Sequence, residues 1–318
     1  MGDSIAAEAA TTSAALLELL VYLRDAGYEF TTVTPLTQVR VLANRRGEDA
    51  AGLRDIFGWS MPFKPGLLPA QLLSLLRQAG VVVQAGEMLR STVRVATLAD
   101  DLFVHSAFPT TASDAVFFGP DTCRFFNLIR DNLPAAVTGS PLRMVDIGCG
   151  SGAGGIMAAR LRVGAQVLLN DINPRALLYA GVNAASADME VELALGDAFS
   201  AVAGDFDVVM CNPPYLVDDA ARAYRHGGGD LGREFGVRMA SQALQRLRSG
   251  GRLILYTGVA IVDGVDHFVK DMEPHLGRAG CTYTYAETDP DVFGEELERP
   301  AYRHAERIAA VGLVAVKA

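Results

Sequence analysis

Residues 144–152 read MVDIGCGSG, and this stretch decides the fold. Met144–Ile147 predicts a buried strand, the glycine-rich residues that follow predict a tight turn, and Ala153–Leu161 predicts a helix that begins over the turn. Glycine has no side chain, so it lets a ligand approach the backbone closely. A strand, a glycine turn and a helix in this order predict the cofactor-binding half of a doubly wound α/β sheet.

An acidic residue follows the next predicted strand, which ends in Asn170 and Asp171. An acid at this strand end is placed to bind the ribose hydroxyls of an adenosine cofactor. Gly148, Gly150 and Ala153 also satisfy a loose dinucleotide fingerprint, so the spacing alone leaves the class of cofactor open. An Asn-Pro pair just after the acid is ordinary helix-start chemistry, and a capping role for Asp171 stays open as well.

A second informative stretch lies about sixty residues downstream, where the predicted strand Phe206–Cys211 runs into Asn212-Pro213-Pro214-Tyr215. Two prolines fix the backbone and remove two donors, which leaves carbonyl oxygens, an Asn amide and a flat aromatic face. Such a corner suits a planar N–H group, whose lone pair is delocalised and whose charge must be stabilised as the nitrogen reacts. Preorganised dipoles of this kind are worth about 3 to 4 kcal/mol each in a dry site. A purely structural turn is the alternative.

The order of these motifs narrows the interpretation. The glycine-turn motif at 145–152, the Asn-Asp-Ile-Asn-Pro run at 170–174, the Gly-Asp-Ala-Phe run at 196–199 and the Asn-Pro-Pro-Tyr corner follow one another along the chain. This order resembles the class I S-adenosylmethionine-dependent methyltransferases. It resembles in particular the branch with an Asn-Pro-Pro-Tyr corner, which includes adenine amino-methyltransferases and release-factor glutamine methyltransferases. The resemblance covers about residues 110–318.

The resemblance implies a role for each matching residue. Asp146 and the glycine turn would hold the methionine end of S-adenosylmethionine, Asp171 its ribose, and Asp197 with Ala198 its adenine amino group. Asn212 and the Pro213 carbonyl would accept hydrogen bonds from the target nitrogen. The predicted catalytic residues are Asn212, Pro213, Pro214 and Tyr215, and the predicted cofactor-binding residues are Asp146, Gly148, Cys149, Gly150, Gly152, Asp171, Ile172, Asp197, Ala198, Phe118 and Gly119. Asp197 could instead cap the short segment 198–202.

Two further stretches are predicted to wall the site. Residues 117–122, FFGPDT, resemble the Arg-Pro-x-Thr segment of the glutamine methyltransferases but lack its arginine, and they precede a helix at Cys123–Leu133. A plain helix-capping turn is the alternative there. His226–Asp230 resembles the glycine-rich lead-in of the same branch, and it is either a lid or a loop without a role.

The remaining sheet strands are read from their hydrophobic runs. Arg252–Thr257, Cys281–Ala286 and Val311–Lys317 are predicted strands, with a helix at Val262–His275 between the first two. The count fits a seven-stranded, Rossmann-like α/β methyltransferase sheet whose last strand is reversed. The loop 287–310 is long and acidic, so it is either a functional wall or a solvated segment.

The first 108 residues are predicted to form a smaller N-terminal α+β domain, and 109–318 the cofactor-binding domain. Apolar periodicity predicts helices at 16–26, 35–44, 49–57 and 70–80, and short strands at 81–84, 88–97 and 102–105. Helices followed by a hairpin resemble a winged-helix arrangement. Residues 1–101 nevertheless hold nine Lys or Arg against eleven Asp or Glu, so the sequence does not support general duplex-DNA affinity.

Composition limits the other classes of protein to which the chain could belong. The chain has 318 residues, a net charge of −9 and 50% hydrophobic residues, which is enough for two cores. It shows no signal pattern, no membrane-length apolar run and no paired metal spacing among its four cysteines, so a cytoplasmic protein without a metal is expected.

The sequence therefore predicts an S-adenosylmethionine-dependent N-methyltransferase that acts on a planar nitrogen. The acceptor is either a glutamine amide in a protein or an exocyclic amino group of a base in RNA or DNA. A small-molecule methyltransferase and a non-catalytic cofactor-binding regulator are the alternatives.

Overall fold

The computed structural model describes residues 2–135, 140–218, 222 and 224–318. Helices and two hairpins come first, and a large mixed sheet follows. Within these residues, no helix is both long and apolar enough to cross a bilayer.

The N-terminal domain is built from helices followed by two hairpins. Its elements are α1 (Gly2–Asp25), α2 (Pro35–Asn44), α3 (Ala70–Gln78), β1 (Val82–Ala85), β2 (Met88–Ser91), β3 (Val93–Leu98) and β4 (Asp101–Ser106). β1 pairs with β2, and β3 pairs with β4, both antiparallel. Leu16, Leu19, Leu20 and Leu23, which form one apolar stripe along α1, are fully buried.

Two expectations for this domain are wrong. The predicted helix at 49–57 is only a π-helical turn at Arg54–Gly58, too short to show the periodicity on which the prediction relied. The predicted strand 88–97 is two strands, because the chain turns at Thr92 and each half pairs with a different neighbour.

The second part of the chain alternates strands and helices. Its elements are α4 (Pro120–Asn132), β5 (Arg143–Ile147), α5 (Ala153–Leu161), β6 (Gln166–Asp171), α6 (Pro174–Ser186), β7 (Glu192–Leu195), β8 (Phe206–Cys211), α7 (Glu234–Gln245), β9 (Leu247–Val262), β10 (Val265–Asp266), α8 (His267–Arg278), β11 (Cys281–Asp289) and β12 (Arg307–Lys317). The main sheet has the strand order β11-β12-β9-β8-β5-β6-β7, and β10 adds a short hairpin to β9.

The predicted fold class is confirmed. β5 to β9 run parallel, and β12 runs antiparallel to both β9 and β11, which is the reversed last strand. Helix α8 begins five residues later than predicted, because 265–266 pair with β9 and the Asp266 carboxylate accepts hydrogen bonds from Phe268 N–H and Val269 N–H. β11 and β12 are longer than predicted, so the segment between them shortens to 290–306.

Successive side chains of the central strands point to opposite faces of the sheet, and apolar residues pack on both faces. Met144 packs into the apolar cluster beside α4 and α5, whereas Val145 and Ile147 pack into the cluster beside α7 and α8. β5 lies between β6 and β8, so the chain order reverses there, and Ile147 is paired directly with Cys211. The turn after β5 and the corner after β8 therefore open side by side at the carboxyl ends of two neighbouring strands, where open α/β sheets bind ligands.

Candidate active site

The glycine turn after β5 donates backbone hydrogen bonds to the end of the next strand, β6. The N–H groups of Gly148 and Cys149 both donate to the Asn170 carbonyl, each at 2.9 Å. Gly148, Gly150 and Gly152 all have φ between 55° and 79°, the left-handed region that disfavours side chains. The turn thus presents bare backbone to the space above the strand ends.

Asp146 lies beneath the turn with one oxygen unpaired. Its Oδ2 accepts a hydrogen bond from Gly155 N–H at 2.8 Å, at the start of α5, while its Oδ1 is buried without a protein partner among the described residues. Burial raises the pKa of this carboxyl to about 7, against the Gly155 hydrogen bond, which lowers it. A buried acceptor left open in this way favours a cationic donor.

Asp171 ties the turn to β6. Its Oδ2 accepts from Gly150 N–H and its Oδ1 from Asn173 N–H, both at 2.8 Å. Burial raises the pKa of Asp171, opposed by these backbone hydrogen bonds. Each carboxylate oxygen can accept a second hydrogen bond, so the residue stabilises the turn and still offers acceptors to a ligand.

The predicted adenine end is more open. The Asp197 carboxylate is half exposed and forms an ion pair with Arg238 at 3.2 Å. Ala198 is buried with φ of 48°, and Ile172 leaves 57% of its surface exposed. An exposed isoleucine beside a strand end offers a flat apolar contact, since burial of its surface by a ring is favourable.

The corner after β8 presents its amide freely. The side chain of Asn212 is partly exposed and makes no hydrogen bond to another described residue. Pro213 is buried and Pro214 is partly exposed. The corner therefore offers an unoccupied amide oxygen and fixed carbonyls to a ligand.

Tyr215 is held by a network that the sequence did not reveal. Its hydroxyl donates to Asp121 Oδ2 at 2.6 Å, and the hydroxyl of Tyr256 donates to Asp121 Oδ1 at 2.7 Å. Arg124 adds an ion pair to Asp121 at 3.1 Å. Burial raises the pKa of both tyrosines, so both hydroxyls stay protonated donors at neutral pH. Gly258 lies against the Tyr215 ring, where an added Cβ would sit 2.3 Å from a ring carbon.

The glycine run at His226–Asp230 forms backbone hydrogen bonds with the segment that follows the Asn212–Tyr215 corner. Leu216 N–H donates to the Arg225 carbonyl, and Gly227 N–H donates to the Leu216 carbonyl. A Cβ on Gly227, within the run, would lie 1.8 Å from the Gly232 carbonyl oxygen and 2.8 Å from the Pro214 carbonyl oxygen. Glycine is required there because the two backbones touch, which gives the run a packing role in addition to any lid function.

The segment between β11 and β12 covers the corner from outside. Phe293 packs edge-on against Tyr215 with ring centroids 5.9 Å apart. Tyr302 is buried and its hydroxyl accepts a hydrogen bond from Val217 N–H at 2.8 Å. The acidic Glu296 is also buried, and it is paired with Arg225 and Arg299. Of the two expectations for this loop, the wall fits these contacts and the solvated segment does not.

One cleft of about 1300 Å³, including the part open to solvent, collects most of the predicted site residues. Twelve of the fifteen line it: Asp146, Gly148, Cys149, Gly150, Asp171, Ile172, Asp197, Ala198, Asn212, Pro213, Pro214 and Tyr215. Burial raises the pKa of the Cys149 thiol well above its ordinary value, so this thiol stays protonated. Pro35 also lines the cleft and brings the N-terminal domain to its edge.

Three predicted site residues do not line the cleft. Phe118 is buried and stacks on His105 with ring centroids 5.1 Å apart, while its neighbour Phe117 lines the cleft. Adjacent residues of an extended segment point to opposite sides, so Phe117, and not the predicted Phe118, faces the cleft. Gly119 donates its N–H to the Thr122 hydroxyl and caps α4, which was the alternative for this segment. Gly152 caps α5 instead of facing the cleft.

The residues present fit S-adenosylmethionine. The bare turn gives room for a ligand, the unpaired Asp146 oxygen and the Asp171 carboxylate suit a ligand with a cationic end and a ribose, and Ile172 suits a flat ring.

Comparison with known proteins gives the same assignment. Residues 127–260 match the family model of the methyltransferase small domain. The sheet domain also resembles the release factor glutamine methyltransferase of Koribacter versatilis, with 30% identity over 141 residues that cover 40% of this chain and 50% of that protein. It resembles the ribosomal RNA small subunit methyltransferase C of Sodalis glossinidius at 31% identity, over 35% of this chain and 29% of that protein.

The chain spans half or less of the length of these curated relatives. Among solved structures, the crystal structure of WT Trm5b from Pyrococcus abyssi matches with a TM-score of 0.50 at 14% identity, over 79% of this chain and 72% of that one. At this identity the likeness concerns the fold alone, and it agrees with the Rossmann-like methyltransferase sheet.

Proposed function

We propose that this protein is an S-adenosylmethionine-dependent N-methyltransferase whose acceptor is a planar nitrogen. The observation that carries the proposal is the pairing of Ile147 with Cys211, which sets the glycine turn and the Asn212 corner side by side in one cleft. A methyl donor over the turn and a nitrogen at the corner would then be neighbours.

The chain's own residues act mainly by position and charge. When bound, the cofactor supplies a methyl group on a sulfonium, which needs no further activation. Asp146 would hold the cationic methionine end, Asp171 the ribose, and Asp197 with Ala198 the adenine. The Asn212 oxygen and the Pro213 carbonyl accept hydrogen bonds from the target N–H groups and stabilise the charge that grows on nitrogen. The Tyr215 ring, fixed by Asp121, packs against the plane of that nitrogen.

A general base is not required, because the spare proton can leave the nitrogen after transfer. Catalysis then consists of in-line placement at about 3 Å together with the fixed dipoles of the corner. Apolar walls from Phe293, Phe117 and Pro35 limit water around the reacting atoms.

The acceptor is proposed to be a glutamine amide in a protein or an exocyclic amino group of a nucleobase in RNA or DNA. The names of the relatives cover a release factor and ribosomal RNA, and both carry planar nitrogens. The net charge of −9 favours the protein acceptor, because nucleic-acid binding depends on Lys and Arg contacts to phosphate. The loss of the arginine from the 117–122 segment favours the base.

We also propose a division of labour at about residue 108. The N-terminal domain would recognise or cover the acceptor, because Pro35 at the start of α2 lines the cleft. The four cysteines are unpaired thiols, which supports a reducing cytoplasmic location.

The decisive experiment is transfer from methyl-labelled S-adenosylmethionine to three acceptor pools, read by mass spectrometry. The pools are glutamine-containing proteins, ribosomal RNA fragments and small amines or amides. Asn212→Ala should remove turnover and leave cofactor affinity within about twofold. Asn132→Ala is the matched control, because the Asn132 side chain donates to the Leu128 carbonyl at the end of α4 and does not line the cleft.

Each outcome has a distinct meaning. Label in the protein or RNA pool supports the proposal and selects the acceptor, whereas label only in small molecules indicates a small-molecule methyltransferase. Cofactor binding without transfer to any pool indicates a regulator. Wild-type turnover in Asn212→Ala removes the role assigned to the corner.

A further inference from the structure

We propose that Asn183 is a positioning residue that couples the N-terminal domain to the cofactor turn. The inference rests on the proposed cofactor site, because it concerns the glycine turn of that site. Asn183 lies on α6, has no exposed surface, and is not one of the residues that line the cleft.

The Asn183 amide makes three hydrogen bonds that join two distant segments. Its Oδ1 accepts from Val104 N–H at 2.8 Å, and its Nδ2 donates to the Val104 carbonyl at 3.1 Å. The same Nδ2 donates to the Ser151 carbonyl at 2.9 Å. Val104 belongs to β4 of the N-terminal domain, and Ser151 belongs to the glycine turn. Both N–H groups of the amide donate and its oxygen accepts one hydrogen bond, so each bond depends on the orientation of the amide plane.

The Val104 contact imitates a strand pair. β4 pairs with β3 on one side, and the Asn183 amide satisfies both backbone groups of Val104 as a neighbouring strand would. If β4 moves, the amide plane must turn with it or leave a buried backbone group unpaired, which is costly. The turning amide would carry its second N–H away from Ser151.

The Ser151 contact reaches the cofactor site directly. Ser151 is buried and lines the cleft. Its neighbour Gly152 lies against Ala180 of α6, where an added Cβ would be 3.0 Å from the Ala180 side chain. Ala180 and Asn183 are three residues apart on one face of the helix, so the turn is held by a packing contact and a polar contact from the same surface.

The rest of the interface makes this coupling stiff. Ala176, Tyr179 and Val182 of α6 pack into the core of the N-terminal domain. Arg24 of α1 donates to the Ser186 carbonyl and hydroxyl at the end of α6. The domains therefore meet along α6, but among these contacts only Asn183 also holds the turn.

Hydrogen exchange tests the coupling on the full chain, with adenosylhomocysteine as the probe. In the wild-type protein, the probe should slow amide exchange in the 102–106 segment, above all at Val104, although this segment does not line the cleft. Asn183→Asp keeps an acceptor for Val104 N–H but loses both donated bonds and sets a carboxylate oxygen against two carbonyls. It should weaken probe affinity about tenfold and abolish the slowed exchange at Val104.

The control variant is Arg24→Ala, which removes a contact of the same interface without touching the turn. It should lower thermal stability but keep probe affinity within about twofold and keep the slowed exchange. If Asn183→Asp does not fold, the wild-type exchange measurement still decides.

Two results would overturn the inference. One is a wild-type protein that binds the probe without any change at 102–106. The other is a folded Asn183→Asp variant that keeps wild-type affinity and the slowed exchange. A wild-type protein that fails to bind the probe at all would instead refute the proposed cofactor site, and the inference would fall with it.

Discussion

The ionisation of Asp146 gives the sharpest quantitative prediction. Burial raises the pKa of this carboxyl from 3.8 to about 7, and its Oδ1 has no hydrogen-bond partner in the part of the chain that the structure describes. The shift corresponds to about 4 kcal/mol against the ionised form in the folded protein, as an upper value. The folded protein therefore holds a proton that the unfolded chain has lost, and this contribution to stability is present below about pH 4 and is lost as the pH rises through about 7.

The same carboxyl should make cofactor binding depend on pH. The ammonium group at the amino-acid end of the ligand favours the ionised form, whose fraction rises from about one-tenth at pH 6 to about nine-tenths at pH 8 for a pKa of about 7. Affinity for adenosylhomocysteine should therefore rise about tenfold from pH 6 to pH 8. At pH 6, close to one proton should be released for each ligand bound.

Isothermal titration calorimetry at pH 6, 7 and 8, in buffers with different ionisation enthalpies, measures both quantities. Asp146→Asn keeps an acceptor for Gly155 N–H but cannot ionise. This variant should bind weakly with little dependence on pH, and without ligand it should be more stable than the wild-type protein at pH 8. An affinity that falls from pH 6 to pH 8, or an unchanged pH slope in Asp146→Asn, would refute the assignment.

Three further substitutions separate the cofactor side from the acceptor side. Asp171→Ala leaves two backbone N–H groups unpaired, so it should cost about 1 to 3 kcal/mol of unfolding free energy and weaken cofactor binding; unchanged affinity by calorimetry would contradict the role. Asp121→Asn weakens the charged acceptor for two tyrosine hydroxyls and should lower turnover at least tenfold with cofactor affinity nearly intact, which steady-state kinetics and calorimetry measure separately. Gly258→Ala should displace the Tyr215 ring and cost about 1 to 3 kcal/mol in a denaturant melt, and a melt identical to wild type would show that the ring is not confined there.

The central elements could be predicted from local pattern. β8 and α5 begin and end at the predicted residues, because a run of apolar residues and a glycine turn fix strand and helix boundaries within a few residues. The glycine turn and the double-proline corner are likewise determined locally, by left-handed backbone angles and by fixed proline geometry. Their shared cleft follows from the general rule for parallel strands.

The contacts that organise the cleft could not be predicted in this way. Asp121 lies 94 residues from Tyr215 and 135 from Tyr256, and nothing in the three local sequences indicates that their side chains meet. Phe117 and Phe118 are chemically alike, so only packing decides which one faces the cleft.

The sequence by itself determined the central strands and helices of the sheet domain, the glycine turn and the Asn212–Tyr215 corner, because each depends on residues that are neighbours in the chain. The tertiary structure alone decided the Asp121 anchor of Tyr215, the wall made by 290–306 and the Asn183 link between domains. These features arise where segments far apart in sequence are packed together, and buried polar groups there take the partners that packing brings within hydrogen-bonding distance.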